Sequence, residues 1–337
     1  MPVKTYREAI NEALHQAMET DPTVIVLGEE VSGGAGCEGS RDAYGGVMGV
    51  TKGLFPKFGE ARVIDTPITE SAIIGAAAGA AQTGLRPVAE LMFMDFFGVC
   101  FDQIYNQAAK FHYMFGGKSD CPMVIRCTTG AGWSAGAQHS QNLTNMVTMV
   151  PGLKVVCPTN AYDAKGLMLQ AIADNDCVIF VEDKILYDTS CEVPDEMYTI
   201  PFGEAKYYRE GSDVTIVAIS NPMHKVLAVA DRLAEEGITC DVIDPRTTSP
   251  LDEEAILESV ETTGRLVVVD EMSPRCGIAA DISSIAAEKA FSSLRAPIRK
   301  VTAAHTPVPF APNLEQAWMP SEADIEAAVR EVLEYKR

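Results

Sequence analysis

Apolar positions along the chain follow two alternating spacings. Residues 23–27 form a continuous apolar run typical of a buried strand, whereas residues 5–19 carry apolar side chains at helical spacing. The same alternation predicts further strands at 61–65, 86–91, 122–127, 153–157 and 177–182, with helices near 69–84, 98–112, 141–148 and 161–173. Strands that alternate with helices in this way are typical of α/β domains with parallel sheets.

A second alternation follows a region of weak periodicity. Residues 183–201 contain Pro194 and Pro201 and predict a linker or crossing segment. Beyond it, strands are predicted at 213–219, 238–243, 265–270 and 297–301, and helices near 223–236, 252–262, 278–291 and 321–335. The chain is therefore expected to form two doubly wound α/β domains, residues 1–200 and 201–337.

Composition narrows the classes of partner and location. The chain has 27 basic and 47 acidic residues, and its formal charge of -20 would repel nucleic acid and anionic membranes. Thr5 and Glu8 have the spacing of a helix capping box close behind Met1, and no long apolar run is free of charge. We expect a cytoplasmic protein without nucleic-acid or membrane partners. Nine dispersed cysteines disfavour a disulfide framework, and several, including Cys157 and Cys177, are expected to be buried.

Two common ligand motifs are absent and a third is ambiguous. Neither G-x-G-x-x-G after a strand nor a phosphate-binding P-loop occurs, and the glycine-rich segment 32–53 resembles a long loop. Residues 132–136 read G-W-S-A-G, which allows a serine hydrolase built on Ser134 with His224 or His305. The predicted strand does not run directly into this motif, so the hydrolase is a minor alternative.

Three side chains follow three consecutive predicted strands. Glu70 lies in the first turn of the helix after strand 61–65, where a carboxylate also favours the helix dipole. Phe96 follows strand 86–91, and His139 follows strand 122–127. Because ligands of doubly wound folds bind at the carboxyl ends of strands, the three together predict a binding crevice.

Several segments carry a family resemblance. They read VIDTPITE at 63–70, GLRPVAE at 84–90, QHSQ at 138–141, PGLKVV at 151–156, YDAKGL at 162–167 and RTTSPLD at 246–252. At these residues the chain resembles the beta subunits of thiamine-diphosphate-dependent 2-oxo acid and acetoin dehydrogenases, over essentially its whole length. The resemblance implies a transketolase-like pyrimidine-binding domain, followed by a transketolase C-terminal-like domain for assembly and acyltransferase docking.

The resemblance also implies roles for individual residues. Glu70 would hydrogen-bond the pyrimidine ring of thiamine diphosphate, with Phe96 on the ring face and Met92 among the cofactor contacts. His139 would assist proton transfer or reductive acylation of a lipoyl group. A potassium ion would lie near Ala171, Asp174 and Asp176, bound largely by backbone carbonyls.

The same resemblance implies partners and a substrate. The chain lacks the Gly-Asp-Gly motif of the magnesium-diphosphate site, which would belong to an alpha subunit in a heterotetramer of two alpha and two beta chains. A lipoyl-bearing acyltransferase would be the further partner. Segments 33–54, 114–118 and 305–310 favour acetoin, cleaved to acetaldehyde with transfer of the acetyl unit to lipoamide. Pyruvate or another 2-oxo acid is the alternative, and a non-catalytic scaffold subunit is a further one.

Overall fold

The computed structural model describes residues 1–33 and 44–336 and divides into two compact units. The first unit comprises Met1–Thr129 and Met146–Phe202, and the second comprises Gly130–Asn145 and Gly203–Arg337. The domain boundary predicted at residue 200 lies close to Gly203, where the longer part of the second unit begins. It did not anticipate that the segment 130–145 would cluster with the second unit. The part of segment 32–53 between 34 and 43, which includes Cys37, lies outside the described residues.

A parallel sheet forms the centre of the first unit. The strands of this unit are Val3–Thr5 (β1), Val24–Glu29 (β2), Val63–Thr66 (β3), Arg86–Phe93 (β4), Val124–Thr129 (β5), Leu153–Val156 (β6), Cys177–Asp183 (β7) and Ser190–Glu192 (β8). Six of them run parallel in the order β6-β7-β5-β4-β2-β3. Every residue of β5 and β7 is buried, as expected for a sheet covered by helices on both faces.

Helices flank this sheet, and those at 6–20, 70–81 and 161–173 lie close to their predicted positions. The helices are Tyr6–Thr20 (α1), Leu54–Phe58 (α2), Glu70–Ala81 (α3), Phe97–Asp102 (α4), Phe111–Met114 (α5), Thr144–Thr148 (α6) and Ala161–Ala173 (α7). The predicted capping box begins α1, because Thr5 accepts from the Glu8 amide and Glu8 accepts from the Thr5 amide. The α7 prediction at 161–173 is confirmed at both ends. Cys157 and Cys177 are buried as predicted, at 2% and 1% exposure.

Two predictions in the first unit differ from the structure. The single helix expected at 98–112 is broken, since α4 passes into a π-helix at Gln103–Ala108 before α5. Buried residues at helical spacing end at Ala108 and Ala109, and no residue of α5 is buried, so no buried stripe supports one helix as far as residue 112. The expected linker at 183–201 instead contains β8, which pairs antiparallel with β1. Leu186, Tyr187, Val193 and Ile200 of this segment are buried, whereas Met197 is exposed.

The second unit has its own sheet and core. Its strands are Lys206–Arg209 (β9), Val214–Ala218 (β10), Cys240–Asp244 (β11), Thr247–Ser249 (β12), Leu266–Asp270 (β13) and Arg299–Thr302 (β14). Its helices are Pro222–Glu235 (α8), Glu253–Thr263 (α9), Ile278–Lys289 (α10), Pro312–Trp318 (α11) and Glu322–Glu334 (α12). The sheet order is β14-β13-β10-β11-β9, parallel except for β9 at one edge. The α/β prediction is confirmed, whereas β9, β12 and α11 were too short for the periodicity to reveal.

Candidate active site

The carboxyl ends of β2, β3 and β4 meet at one edge of the first sheet. Gly28 of β2 pairs with Asp65 of β3 on one side and with Glu90 of β4 on the other. Residues that follow these positions therefore leave the sheet at the same edge. This edge is where the sequence placed Glu70, Met92 and Phe96.

Glu70 is the first residue of α3 and is half-buried. The neighbouring Ser71 hydroxyl donates to the Val99 carbonyl in α4, which fixes the first turn of α3 against α4. A Cβ added at Gly75 would lie only 3.3 Å from Gln103 Cγ of the π-helix. The small residues of α3 thus allow the close packing that sets the position of Glu70.

Glu70 and Phe96 share a neighbour in Cys100. Burial, reinforced by the Glu70 carboxylate, raises the pKa of the Cys100 thiol to about 12. The same thiol contacts the Phe96 carbonyl at 3.8 Å. Burial, the Glu30 carboxylate and the Glu70 carboxylate together raise the pKa of Glu29 at the end of β2. The Glu70 carboxylate and the Phe96 backbone therefore both lie near the Cys100 thiol.

Aromatic and apolar side chains follow β4 at the same edge of the sheet. Phe96 ends a short 3-10 helix at Met94–Phe96 and is half-buried. Its ring meets Phe93 edge-to-face, with ring centroids 6.0 Å apart. Met92, at the end of β4, is 8% exposed. A half-buried ring and a half-buried carboxylate at one edge of a sheet suit a flat, nitrogen-containing heterocycle, which needs both stacking and a hydrogen-bond acceptor.

A buried ionic cluster connects β4 to its neighbouring strands. Arg126 of β5 donates to Glu90 of β4 at 2.7 Å and to both carboxylate oxygens of Glu182 in β7, at 2.7 and 2.8 Å. The Tyr187 hydroxyl donates to Glu182 at 2.7 Å. Burial raises the pKa of Glu90, although the Arg126 charge opposes this shift. The cluster links β4, β5 and β7, and its member Glu90 lies two residues before Met92 in β4.

His139 belongs to the segment that clusters with the second unit. It is half-buried, and its backbone amide lies 3.4 Å from the Gly136 carbonyl. The structure thus groups Glu70, Met92 and Phe96 in the first unit, and His139 in the second.

Two buried glutamates that the sequence analysis did not single out contact the His139 segment. Glu271 accepts from the Ala131 amide at 2.7 Å. Glu315 accepts from the amides of Gly132 and Ser134, at 2.8 and 2.9 Å. Both glutamates are 2% exposed. Their only sequence signal is an acidic residue placed directly after a buried strand or within a short helix.

The geometry at Ser134 does not support a hydrolase. A nucleophile elbow places its serine between a strand and a helix. Here β5 ends at Thr129, and the next helix, α6, begins only at Thr144. The Ser134 hydroxyl lies 3.3 Å from the Glu315 carboxylate, while His305 contacts Ser273 at 2.7 Å.

The residues predicted to bind potassium are partly engaged by the chain's own cations. Lys154 contacts Asp174 at 2.7 Å and Asp176 at 3.1 Å. Arg86 donates to the Asp174 carbonyl at 2.8 Å. Ala171 lies in the last turn of α7, where carbonyl groups lack helical partners. Within residues 1–33 and 44–336, no group of three His, Cys, Asp or Glu side chains could hold a metal ion.

Nor does any helix in that part of the chain have the length and apolarity to cross a membrane.

Comparison with protein families matches both halves of the chain. The pyrimidine-binding domain of transketolase matches residues 3–189, and the transketolase C-terminal domain matches residues 203–325. A solved structure described as a split-gene transketolase, an inactive beta4 tetramer, superposes with a TM-score of 0.77. It covers 98% of this chain and 99% of its own at 24% sequence identity, which supports the fold alone.

Curated relatives are similar over nearly the whole chain. The beta subunit of acetoin:2,6-dichlorophenolindophenol oxidoreductase from Cupriavidus necator is 59% identical, and the alignment covers 96% of each chain. The subunit of the same name from Bacillus subtilis is 54% identical over 97% of this chain and 96% of its own. The beta subunit of the pyruvate dehydrogenase E1 component from Rickettsia felis is 48% identical over 98% of each. The chain therefore belongs to the transketolase-like family of beta subunits of thiamine-diphosphate-dependent dehydrogenases.

Proposed function

We propose that the chain is the beta subunit of a thiamine-diphosphate-dependent first component that cleaves acetoin. Acetaldehyde is the leaving product, and the remaining acetyl unit is transferred oxidatively to lipoamide. The observation that carries this proposal is the 59% identity to an acetoin-oxidising beta subunit over 96% of both chains. The pyruvate dehydrogenase relative, at 48% identity, supports pyruvate as the second candidate substrate.

The carboxyl edge of the first sheet fits the pyrimidine half of the cofactor. Glu70 offers a half-buried carboxylate to a ring nitrogen, and Phe96 with Met92 offers an apolar face to the ring. A hydrogen bond from a protonated ring nitrogen to a carboxylate is charge-assisted and therefore strong.

The cofactor supplies the nucleophilic carbon and the electron sink for the reaction. This chain contributes orientation through Phe96 and Met92, and a proton acceptor through the Glu70 carboxylate. His139 acts as the proton-transfer group or assists acylation of the incoming lipoyl group. The diphosphate and its magnesium ion are held by an alpha subunit, because this chain has no Gly-Asp-Gly motif.

The remaining partners follow from the same assignment. Two beta chains assemble with two alpha chains in the cytoplasm, and the C-terminal domain docks a lipoyl-bearing acyltransferase. A potassium ion near Ala171, Asp174 and Asp176 is bound by backbone carbonyls, since Lys154 engages both carboxylates. Replacing potassium by sodium should lower the melting temperature of the complex, and an unchanged melting temperature would remove this ion from the proposal.

The substrate is tested by dye reduction with purified subunits. The alpha and beta chains together, but neither alone, should reduce 2,6-dichlorophenolindophenol with acetoin, and the reaction should require thiamine diphosphate and magnesium. Equal or better turnover of pyruvate or a branched 2-oxo acid would overturn the acetoin assignment while keeping the family.

The catalytic role of this chain is tested at Glu70. Glu70→Gln keeps the shape of the side chain but removes the charge, so we expect kcat to fall by about 100-fold or more in the assembled complex. Glu60→Gln is the matched control, because Glu60 is an exposed glutamate of the same unit. Full activity of the Glu70→Gln complex would favour the non-catalytic scaffold.

A further inference from the structure

The segment that carries His139 has an unusual backbone. Gly130, Gly132, Ser134 and Gly136 all have positive φ angles, between 53° and 106°. Alternating positive φ values turn successive amide groups toward one side of the chain, and such concave arrangements bind anions. Ser134 is strained in this conformation, because side chains other than glycine rarely adopt it.

The anion at this concave backbone is the Glu315 side chain. Its Oε1 accepts from the Gly132 amide at 2.8 Å and its Oε2 from the Ser134 amide at 2.9 Å. Glu271 adds a third carboxylate contact to the Ala131 amide at 2.7 Å. Hydrogen bonds from amides to a buried carboxylate are short and strong, so three such bonds within residues 131–134 hold this stretch firmly.

The constraint extends toward His139. A Cβ added at Gly136 would lie 3.4 Å from Cδ2 of the Phe310 ring, so this ring packs against Gly136. The Gly136 carbonyl in turn faces the His139 amide at 3.4 Å. On the other side of His139, residues 141–143 border a cavity of about 350 Å³ whose wall includes His305 and Trp318. Carboxylates therefore hold residues 131–134 before His139 in the chain, and residues 141–143 after it border the cavity.

We propose that Glu315 and Glu271 are positioning residues that act through His139. They belong to the second unit, so this unit contributes to the geometry of the catalytic histidine in addition to assembly and docking. The inference rests on the proposed role of His139. Without the two carboxylates, the segment would lose its fixed backbone path, and His139 would sample positions in which proton transfer fails.

The test is a double-mutant cycle in the assembled alpha–beta complex, with acetoin-dependent dye reduction as the assay. Glu315→Gln leaves one acceptor oxygen and places an amide donor against a backbone amide. We expect kcat to fall by about 10- to 100-fold with little change in the KM for acetoin. In a His139→Ala background the same substitution should change kcat by less than about twofold, because both changes act on one group.

A second readout does not depend on activity. Amide hydrogen exchange of peptides covering 130–145 should accelerate by about tenfold in the Glu315→Gln complex, and exchange of α12 should stay unchanged. Ser259→Ala is the matched control. Ser259 contributes buried hydroxyl contacts to Thr215 and Asp241 within the second unit, away from residues 130–145. The fold-changes in kcat caused by Ser259→Ala and by His139→Ala should multiply in the double mutant, because the two residues act independently.

The outcomes separate the inference from the proposed function. Absence of acetoin turnover by the unmodified complex would reject the proposed function itself. Full activity of His139→Ala would reject the role of His139 and with it the positioning role of the two glutamates. The positioning role alone would be overturned if the fold-changes in kcat caused by Glu315→Gln and His139→Ala simply multiplied in the double mutant. It would also be overturned if amide hydrogen exchange of residues 130–145 stayed unchanged in Glu315→Gln. If Glu315→Gln does not assemble, Glu271→Gln alters the carboxylate that accepts from the Ala131 amide, and the same two measurements decide the question.

Discussion

Arg126 and Glu182 form a bidentate ion pair between two strands of the first sheet. The guanidinium of Arg126 donates from Nε and Nη2 to the two carboxylate oxygens of Glu182, at 2.7 and 2.8 Å, with both side chains at most 2% exposed. A third contact, from Nη1 to Glu90, places one positive charge between two buried carboxylates. The planar guanidinium satisfies both acids at once, which a lysine ammonium could not do.

Removing Arg126 should strongly destabilise the chain. Arg126→Met would leave Glu90 and Glu182 buried without a counter-charge, and we expect the free energy of unfolding to fall by about 3–5 kcal/mol. Urea unfolding of the full chain, followed by circular dichroism, measures this change. Arg209→Met is the control, since Arg209 pairs with Asp231 on an exposed surface and its loss should cost less than about 1 kcal/mol. A similar small effect at Arg126 would contradict the importance of the cluster.

The stability of the second unit should depend on pH through Asp270. Burial raises the pKa of Asp270 to about 6 from its usual 3.8, although backbone amides at Met272 and Ala279 oppose the shift. The folded state therefore holds this proton at pH values where the unfolded chain has released it. The stabilisation is complete below about pH 4 and is lost as pH rises through 6.

The comparison with Asp270→Asn isolates this effect. Between about pH 5 and pH 7.5, the unmodified chain should lose about 1 kcal/mol of unfolding free energy relative to Asp270→Asn, because asparagine does not titrate. Urea midpoints at both pH values provide the measurement. A difference of opposite sign would mean that the amides at Met272 and Ala279 outweigh the desolvation of Asp270.

Much of the architecture follows from local patterns. The capping box at Thr5, the apolar runs of β2 and β7 and the full length of α7 could all be predicted, because each depends on neighbours within a few residues. Glu70 became a candidate because three strand ends converge in any parallel sheet. The family resemblance then connected it to a specific cofactor.

Other features depend on contacts that span the chain. Glu315 meets Ser134 across 181 residues, and Glu271 meets Ala131 across 140. No periodicity reports such pairs, and each glutamate on its own is typical of a surface residue. The break between α4 and α5 was hidden for a similar reason, since aromatic residues such as Tyr105 and Tyr113 suggest burial but remain exposed in this chain.

Ser134 should not behave as a nucleophile. Its hydroxyl faces the Glu315 carboxylate at 3.3 Å, and no helix follows it within the described residues up to Thr144. A fluorophosphonate probe should therefore fail to label the assembled complex, and Ser134→Ala should retain acetoin turnover within about threefold. Labelling that disappears in Ser134→Ala would restore the hydrolase alternative.

Phe96 should affect cofactor affinity more than turnover. A flat ring placed beside Glu70 gains stacking energy from Phe96, and such aromatic contacts contribute about 0.5–1.5 kcal/mol beyond the buried area. Phe96→Ala should therefore raise the thiamine diphosphate concentration needed for half-maximal activity by about tenfold or more, with a smaller change in kcat at saturation. Phe96→Leu should recover part of the loss because it restores apolar area without a ring. Phe291→Ala is the control, since Phe291 is 74% exposed in the second unit. If Phe96→Ala lowered kcat at saturating cofactor but left the half-saturating concentration unchanged, Phe96 would serve the chemical step and not the binding of the pyrimidine ring.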